Sequence, residues 1–283
     1  MMKIYYENSQ GVQLDLLKSP YRLQTGNIFD YKWSYSHRAT VRKTAKIKGF
    51  SKDLEEKNLL LSILNYGKQA YYNAINFFAQ TTEFDVVNNS PGKLYVGDMY
   101  LRCFIIASEK TEWESGIELL DNEITLVTDY PFWIKEITYQ YLPEKPNPVE
   151  YTTLEKGILF PEFPFDFYSE KGEKTLFNPS FKDSNFILIV YGFAENPQIT
   201  ISGHPYKVET TVYEGERLVI DSIKGTVKKI GRLGEITNYY NAREKRHSVF
   251  KKIPPGMNTF QWSGGFGVDI TLFDERSEPK WSL

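Results

Sequence analysis

Period-two alternation of apolar and polar positions runs through most of the chain. In residues 39–49 (ATVRKTAKIKG), Ala39, Val41, Ala45 and Ile47 fall on one side and Arg42, Lys46 and Lys48 on the other. That alternation predicts a strand with one solvated face. Residues 58–64 (NLLLSIL) form a short apolar run that fits either a strand or a helix turn, and Asp53 with Glu56 three later even offers a helix start; the strand is the reading adopted. Over residues 67–80 the period lengthens. Ala70, Ala74, Phe77 and Phe78 recur at helical spacing while Lys68, Asn73 and Asn76 turn away, which predicts an α-helix. Ser90-Pro91-Gly92 then makes a turn. Residues 94–106 read as two strands joined at Gly97-Asp98, and 123–129 as another.

Beyond a stretch with three prolines (Leu142-Pro143-Glu144-Lys145-Pro146-Asn147-Pro148-Val149-Glu150) the pattern is β throughout. Proline lacks a backbone donor and favours extended chain, so residues 143–150 are expected to link two domains, 1–142 and 151–283. Residues 186–191 form a fully apolar strand and 198–202 alternate. Segments 210–213 and 217–221 flank Glu214-Gly215-Glu216 as an expected hairpin. Segments 226–230 and 236–241 follow, and after Pro254-Pro255-Gly256 come 258–262 and 266–272. In the last, Phe266, Val268, Ile270 and Leu272 share one face. Short strands spaced by about 8–12 residues predict a sandwich or barrel. The expected class is mainly β, with one helix in the first half.

Composition narrows the function classes. Lys plus Arg number 34 against 36 Asp plus Glu, a formal charge of −2, without the strong basic footprint of a dedicated nucleic-acid binder. Mean hydropathy is −0.43 and no apolar run approaches the ~18 residues of a membrane span. The first residues (MMKIYYEN) lack a secretory core, and a lone cysteine, Cys103, excludes an internal disulfide. Synthesis in a reducing cytoplasm is the expectation. Aromatic residues make up 16% of the chain, an excess that suits a β core and also broad contact surfaces.

Candidate chemistry is sparse. His37, His204 and His247 are far apart in sequence and no HxH, HxxxH or CxxC spacing exists, so no metal site is expected. Cys103 sits in an apolar strand, the setting of an inert thiol. Residues 200–204 (TISGH) lack the glycines of a nucleophile elbow. Gly172-Glu173-Lys174-Thr175 misses the phosphate-loop spacing, and the Gly264-Gly265-Phe266-Gly267 cluster enters a strand. Glu162 and Asp166 lie in an aromatic segment (FPEFPFDFY) that could raise a carboxyl pKa. A glycosidase, however, needs a facing pair across a cleft, and solvent-facing carboxylates are the reading adopted. Asp121 and Glu123 look like surface charges. The basic stretch Lys224, Lys228, Lys229, Arg232, Arg243, Lys245, Arg246, Lys251 and Lys252, with Tyr239 and Tyr240, is expected to be a solvated face or one side of a charged interface. No catalytic, cofactor or metal residue is assigned.

Several segments together resemble the distal tail (Dit) proteins of siphovirus-type phages and prophages of Gram-positive bacteria. In the first half they are Ser90-Pro91-Gly92-Lys93-Leu94-Tyr95-Val96, Tyr100-Leu101-Arg102-Cys103 and Thr128-Asp129-Tyr130-Pro131-Phe132-Trp133. In the second they are Phe160-Pro161-Glu162-Phe163-Pro164-Phe165-Asp166, residues 196–203 (NPQITISG), 217–221 (RLVID) and 253–258 (IPPGMN). Residues 1–35 match nothing in that pattern. The resemblance implies an N-terminal ring-forming β-sandwich with one helix and a C-terminal galectin-like β-sandwich. It further implies a non-enzymatic virion protein whose hexameric ring ends the tail tube. Its implied partners are the major tail tube protein, a tail-associated lysin or fibre, and receptor-binding or other baseplate proteins. No cofactor, membrane or nucleic-acid partner is implied. A carbohydrate-binding module, and behind it a cell-wall glycosidase, are the alternatives.

Overall fold

A computed structural model describes residues 3–40, 43–144 and 173–280. The chain is mainly β with one long α-helix. It divides into two compact units, Met1–Lys135 with Glu275–Leu283, and Glu136–Asp274. The second unit is therefore inserted into the first near the C-terminal end of the chain.

That division differs from the expected domains 1–142 and 151–283. Pro143 and Glu144 already belong to the second unit, where the Glu144 N–H donates to the Gly264 carbonyl (2.8 Å) and its carboxylate pairs with Lys174 (3.1 Å). Residues 145–150 lie outside the described residues. Prolines mark where ladder pairing stops. The change of core falls at Lys135/Glu136, inside a regular strand with no compositional mark.

The first unit begins with β1 (Ile4–Glu7), β2 (Gln13–Asp15) and β3 (Tyr21–Gly26), followed by β4 (Ser34–Thr40), β5 (Lys43–Ser51) and β6 (Glu55–Leu64). Helix α1 (Lys68–Val87) precedes β7 (Gly92–Val96), β8 (Met99–Trp113), β9 (Leu119–Thr128) and β10 (Trp133–Tyr141), the last running on into the second unit. One sheet has the order β2-β1-β7-β8 with the start of β10 beside β8; the other pairs β3, β6, β9 and the later part of β8. Strand β8 changes partner from β7 to β9 after Cys103, so both sheets share it. Period-two faces meet in one core, with Leu59, Leu61 and Ile63 of β6, Leu94 and Val96 of β7, Ile124 and Leu126 of β9, and fully buried Trp133.

Helix α1 runs seven residues beyond the expected 67–80. Its last two turns bury polar side chains, Thr81, Thr82 and Asp85, which hydropathy reading discards. Thr81 and Thr82 return their hydroxyls to the Phe77 and Phe78 carbonyls (2.7 and 3.0 Å). Asp85 accepts from the Tyr6 hydroxyl (2.5 Å) and from the Ser9 N–H and hydroxyl (2.8 and 2.6 Å), so each carboxylate oxygen has a partner in the core. Gly92 leaves room for this network: a Cβ there would lie 2.3 Å from the Tyr6 oxygen and 2.5 Å from Asp85 Oδ2.

The second unit contains β11 (Glu173–Asn178), β12 (Asn185–Tyr191), β13 (Ala194–Glu195), β14 (Gln198–Ile201), β15 (His204–Lys207), β16 (Thr211–Val212), β17 (Arg217–Asp221), β18 (Thr226–Ile230), β19 (Ile236–Asn238), β20 (Gly256–Trp262) and β21 (Gly267–Arg276), which returns to the first unit. One sheet has the order β19-β18-β17-β12-β21-β10, the other β11-β20-β14-β15. Their inner faces meet in one core: Phe186, Leu188, Val190, Val268, Ile270 and Leu272 from the first, Leu176, Ile199, Ile201, Phe260 and Trp262 from the second. The Tyr141 ring stacks on Phe260 with centroids 3.9 Å apart, and Trp262 donates its indole N–H to the Phe266 carbonyl (3.0 Å). The expected hairpin over 210–221 does not form. Strand β16 pairs with β13, while β17 lies between β12 and β18. The apolar face of β17 (Leu218, Ile220) takes the central position beside β12, which is possible only if the Glu214-Gly215-Glu216 connection carries the chain between sheets.

Candidate functional site

The first unit presents two exposed regions of opposite charge, called arms below. Among the described residues, strands β4 and β5 pair with each other and with nothing else, so they form a free two-stranded ribbon. The single strand expected over 39–49 is thus two strands, with Thr40 opposite Lys43 and residues 41–42 outside the described residues. The expected dry face is absent too: Ala45 and Ile47 are exposed along with Lys46 and Lys48. Alternation is indifferent to whether a core waits on one side. Tyr35 and Phe50 face each other across the ribbon and are 63% and 64% exposed.

The feet of this arm are fixed from inside the unit. The Lys52 ammonium, its side chain only 1% exposed, donates to the Pro131 carbonyl (2.8 Å) and pairs with Glu55 (3.4 Å). It sits among the rings of Phe132, Tyr31 and Trp33, 5.2–5.7 Å from their centroids. Lys57 donates to the Asp30 carbonyl (2.5 Å) and pairs with Glu55 (3.2 Å); Ser34 donates to Asp53 (2.7 Å). Both strands of the arm thus leave the body through a tight polar and aromatic collar.

The second arm is the far end of the β8–β9 hairpin, which is not a free ribbon: β9 is also laddered to β6 out to Leu119, so β8 forms the exposed edge and residues 114–118 the tip. From Glu109 to Ile117 every residue is exposed, with Trp113 and Ile117 among them. The two arms carry opposite charge. Between Asp30 and Asp53 the sequence has seven Lys or Arg residues and no acid; residues 109–123 hold six Asp or Glu and a single Lys. In each arm like charges face each other across the ladder. Arg38 is opposite Lys46 in the first; Glu109 is opposite Glu123, and Glu112 opposite Asp121, in the second. Such pairs work against the hairpins that contain them. The sequence reading missed both arms, although the charge segregation that marks them was legible.

The other candidates resolve as follows. Cys103 is wholly buried in β8, and burial pushes its thiol up to about 12. His204 and His247, distant in sequence, meet with ring centroids 5.8 Å apart; His204 Nε2 lies 2.9 Å from the Ser248 carbonyl and His247 Nδ1 3.4 Å from Glu244. Among the described residues no three His, Cys, Asp or Glu side chains group as a metal site. His37 lies on the first arm beside Tyr35. Asp121 accepts from Ser62 (2.5 Å) and from Gln24 (3.3 Å), in the floor of a groove of about 660 Å³ along β3. Glu123 is exposed. Glu162 and Asp166 lie outside the described residues. Lys174 sits in β11, with no helix following.

Three of the nine cations in the basic stretch from 224 to 252 are held within their own unit. Lys229 pairs with Glu216 (3.2 Å) and lies over the Tyr239 ring (5.1 Å), Arg243 stacks on Tyr240 (3.6 Å), and Arg232 donates to the Glu214 carbonyl (2.6 Å). The Tyr213 N–H, against some desolvation, and the Lys229 ammonium together hold the Glu216 carboxyl below its usual range.

No family model matches the chain, and no curated protein matches it by sequence. Solved structures do. The backbone superposes on the crystal structure of Dit from phage SPP1, described as a paradigm of the hub adsorption apparatus in phages infecting Gram-positive bacteria, with a TM-score of 0.62 at 9% identity. That match covers 98% of this chain and 99% of the other. The chain has the fold of a phage Dit protein. Chains of the phage p2 baseplate in its activated conformation share it, with TM-scores of 0.63 for both the calcium and strontium forms. Identities there are 9% and 10%, covering 99% of this chain and 100% of theirs. The Dit fold is therefore matched from end to end, including residues 1–35, for which the sequence offered no counterpart. At such identity the likeness is one of backbone path, and no residue's role passes across with it.

Proposed function

We propose that this protein is a phage distal tail protein, a ring at the end of the tail tube onto which baseplate and receptor-binding proteins attach. The observation that supports this best is the end-to-end likeness of its fold to SPP1 Dit and to p2 baseplate chains. In this reading the first unit makes the ring contacts and joins the tube protein. The second, a galectin-like sandwich, is the platform for adhesion proteins and for a tail-associated lysin or fibre. The ring holds six copies, works in the virion, is made in the host cytoplasm, and catalyses no reaction. Closed rings need one patch that meets a different patch on the next subunit, and unit 1 offers two exposed, dissimilar arms. The test is imaging of purified tails with the protein labelled: a six-fold ring at the tail tip, with residues before Lys135 at the subunit contacts, is the expected result. Contacts made by residues 136–274 instead would reverse the unit roles, and absence from tails would overturn the function.

A carbohydrate contact is the second reading, favoured by one feature. Phe193 and Tyr213 are both exposed, with ring centroids 6.4 Å apart, and could stack on a sugar. A glycan array probed with the whole chain, wild type against Tyr213→Ala, decides it.

A further inference from the structure

Opposite charges on two separate arms of one chain invite a specific pairing. We propose that the basic arm β4–β5 of one copy docks on the acidic β8–β9 arm of the next copy. This rests on the ring reading above and names the surfaces that make it.

Three observations carry the inference. The first is uncompensated charge. Arg38, Lys46 and Lys48 on one side and Glu109, Glu112 and Glu123 on the other form no ion pair with any described residue. Instead Arg38 faces Lys46 and Glu109 faces Glu123 across their ladders. Each arm is repelled by itself and relieved by the other. The second is apolar surface beside that charge: Tyr35, Ile47 and Phe50 on the basic arm, Trp113 and Ile117 on the acidic one, all exposed. The third is sign. Either patch docked on its own copy would set like charge on like, whereas patch on unlike patch brings basic to acidic at every joint.

Size sets what the contact can do. A ribbon face two strands wide and seven residues long spans about 23 by 10 Å. That is well below the ~800 Å² per partner of a stable interface. The arm contact therefore selects neighbour and register, and other surfaces of the first unit complete the joint. Association should weaken as salt rises past the range where the Debye length falls below about 8 Å.

Two charge-reversed variants test the pairing: Arg38→Glu with Lys46→Glu and Lys48→Glu, and Glu109→Lys with Glu112→Lys and Glu123→Lys. All six positions are exposed, and circular dichroism verifies the fold of each variant. Assembly is followed at high protein concentration by light scattering and negative-stain imaging. Each variant alone should assemble at least about tenfold less well than wild type. An equal mixture should recover, because each altered arm then meets its opposite on the other variant. Zero-length carbodiimide cross-linking of mixed light and heavy wild-type chains should join Lys46 or Lys48 of one copy to Glu112 or Glu114 of another. A variant that assembles like wild type, or a mixture that fails to recover, overturns the arm contact while leaving the ring reading intact. Absence of the wild-type protein from purified tails overturns the ring reading, and the cross-link then reports on the arms independently.

Discussion

The two units solve the same packing problem and differ in what they leave outside. Unit 2 closes two sheets over an aromatic core, with Phe186, Phe260 and Trp262 inside and a network about Asn178 tying its loops. That side chain donates to the Ile253 and Pro254 carbonyls (2.9 and 3.1 Å) and accepts from the Ser184 hydroxyl (3.0 Å). Lys229, Arg232 and Arg243 are held within the unit by Glu216, the Glu214 carbonyl and the Tyr240 ring. Unit 1 buries a polar network about Asp85 as well as its apolar core, and it presents the free β4–β5 ribbon and the exposed edge of β8, each with aromatic or aliphatic side chains in water and charges without local partners. The lesson is that polar satisfaction can stop at a body's edge.

Removing unit 1's internal network should break this contrast most. Gly92→Val places carbon against the Tyr6–Asp85 bond and should cost more than about 4 kcal/mol, the range reserved for a broken buried polar network plus overpacking. Differential scanning calorimetry should show the transition of unit 1 lost or shifted while unit 2 melts unchanged. The mirror experiment is Phe260→Ala, which removes the partner of Tyr141 and leaves a cavity. It should cost unit 2 about 3–5 kcal/mol and spare unit 1. Equal shifts of both transitions in either variant would show that the two units do not fold as separate cooperative bodies.

A smaller effect tests the collar. Lys52→Met keeps the apolar stem and deletes the ammonium, removing cation–π contacts worth up to about 2 kcal/mol when desolvated. The expected loss is about 1–2 kcal/mol in unit 1, together with faster amide exchange in β4 and β5 and faster tryptic cleavage at Lys46 and Lys48. Unchanged exchange would mean that the ribbon holds its own feet.

Alkaline titration separates the units by the smallest margin. Burial raises the Cys103 thiol from an ordinary 9.0 to about 12, and the Tyr21 and Tyr141 phenols from 10.0 to about 12. Above its ordinary value each group ionises in the unfolded chain and stays protonated in the folded one. The unfolded state then binds fewer protons, and stability falls as pH rises. Unit 1 should start to weaken near pH 9, at about 1.4 kcal/mol per pH unit from the thiol alone. Unit 2, which has no thiol, should start nearer pH 10. Cys103→Ala should move the onset in unit 1 up to that of the phenols, and a coincident onset in the wild type would contradict the assignment.

Legibility followed the physics of each segment. Strands with one dry face, such as β21 with Val268, Ile270 and Leu272, and the fully apolar β12 could be read directly, because period two and burial coincide there. Helix α1 was seen only as far as its apolar stripe reached; Thr81, Thr82 and Asp85 face inward but are polar, and their partners lie far along the chain. Pairing was less legible than strand existence. On one side β17 pairs with β12, some 30 residues upstream, where local turn chemistry at Gly215 argued for β16 instead. The arms were hidden by the same alternation that revealed the cores. Only the run of seven bases without an acid, set against six acids with one base, could have pointed to them.

The insertion of one unit within the other has a consequence for the order of synthesis. The final pieces of unit 1 are residues 275–280, where buried Glu275 accepts a hydrogen bond from the Tyr130 hydroxyl (2.5 Å). A ribosome makes them after the whole of unit 2. A chain made only as far as Asp274 thus has all of unit 2 but lacks the Glu275 partner of Tyr130 in unit 1. A chain stopped at Asp274 should therefore have a less stable unit 1 than one that includes Glu275, with unit 2 unaffected.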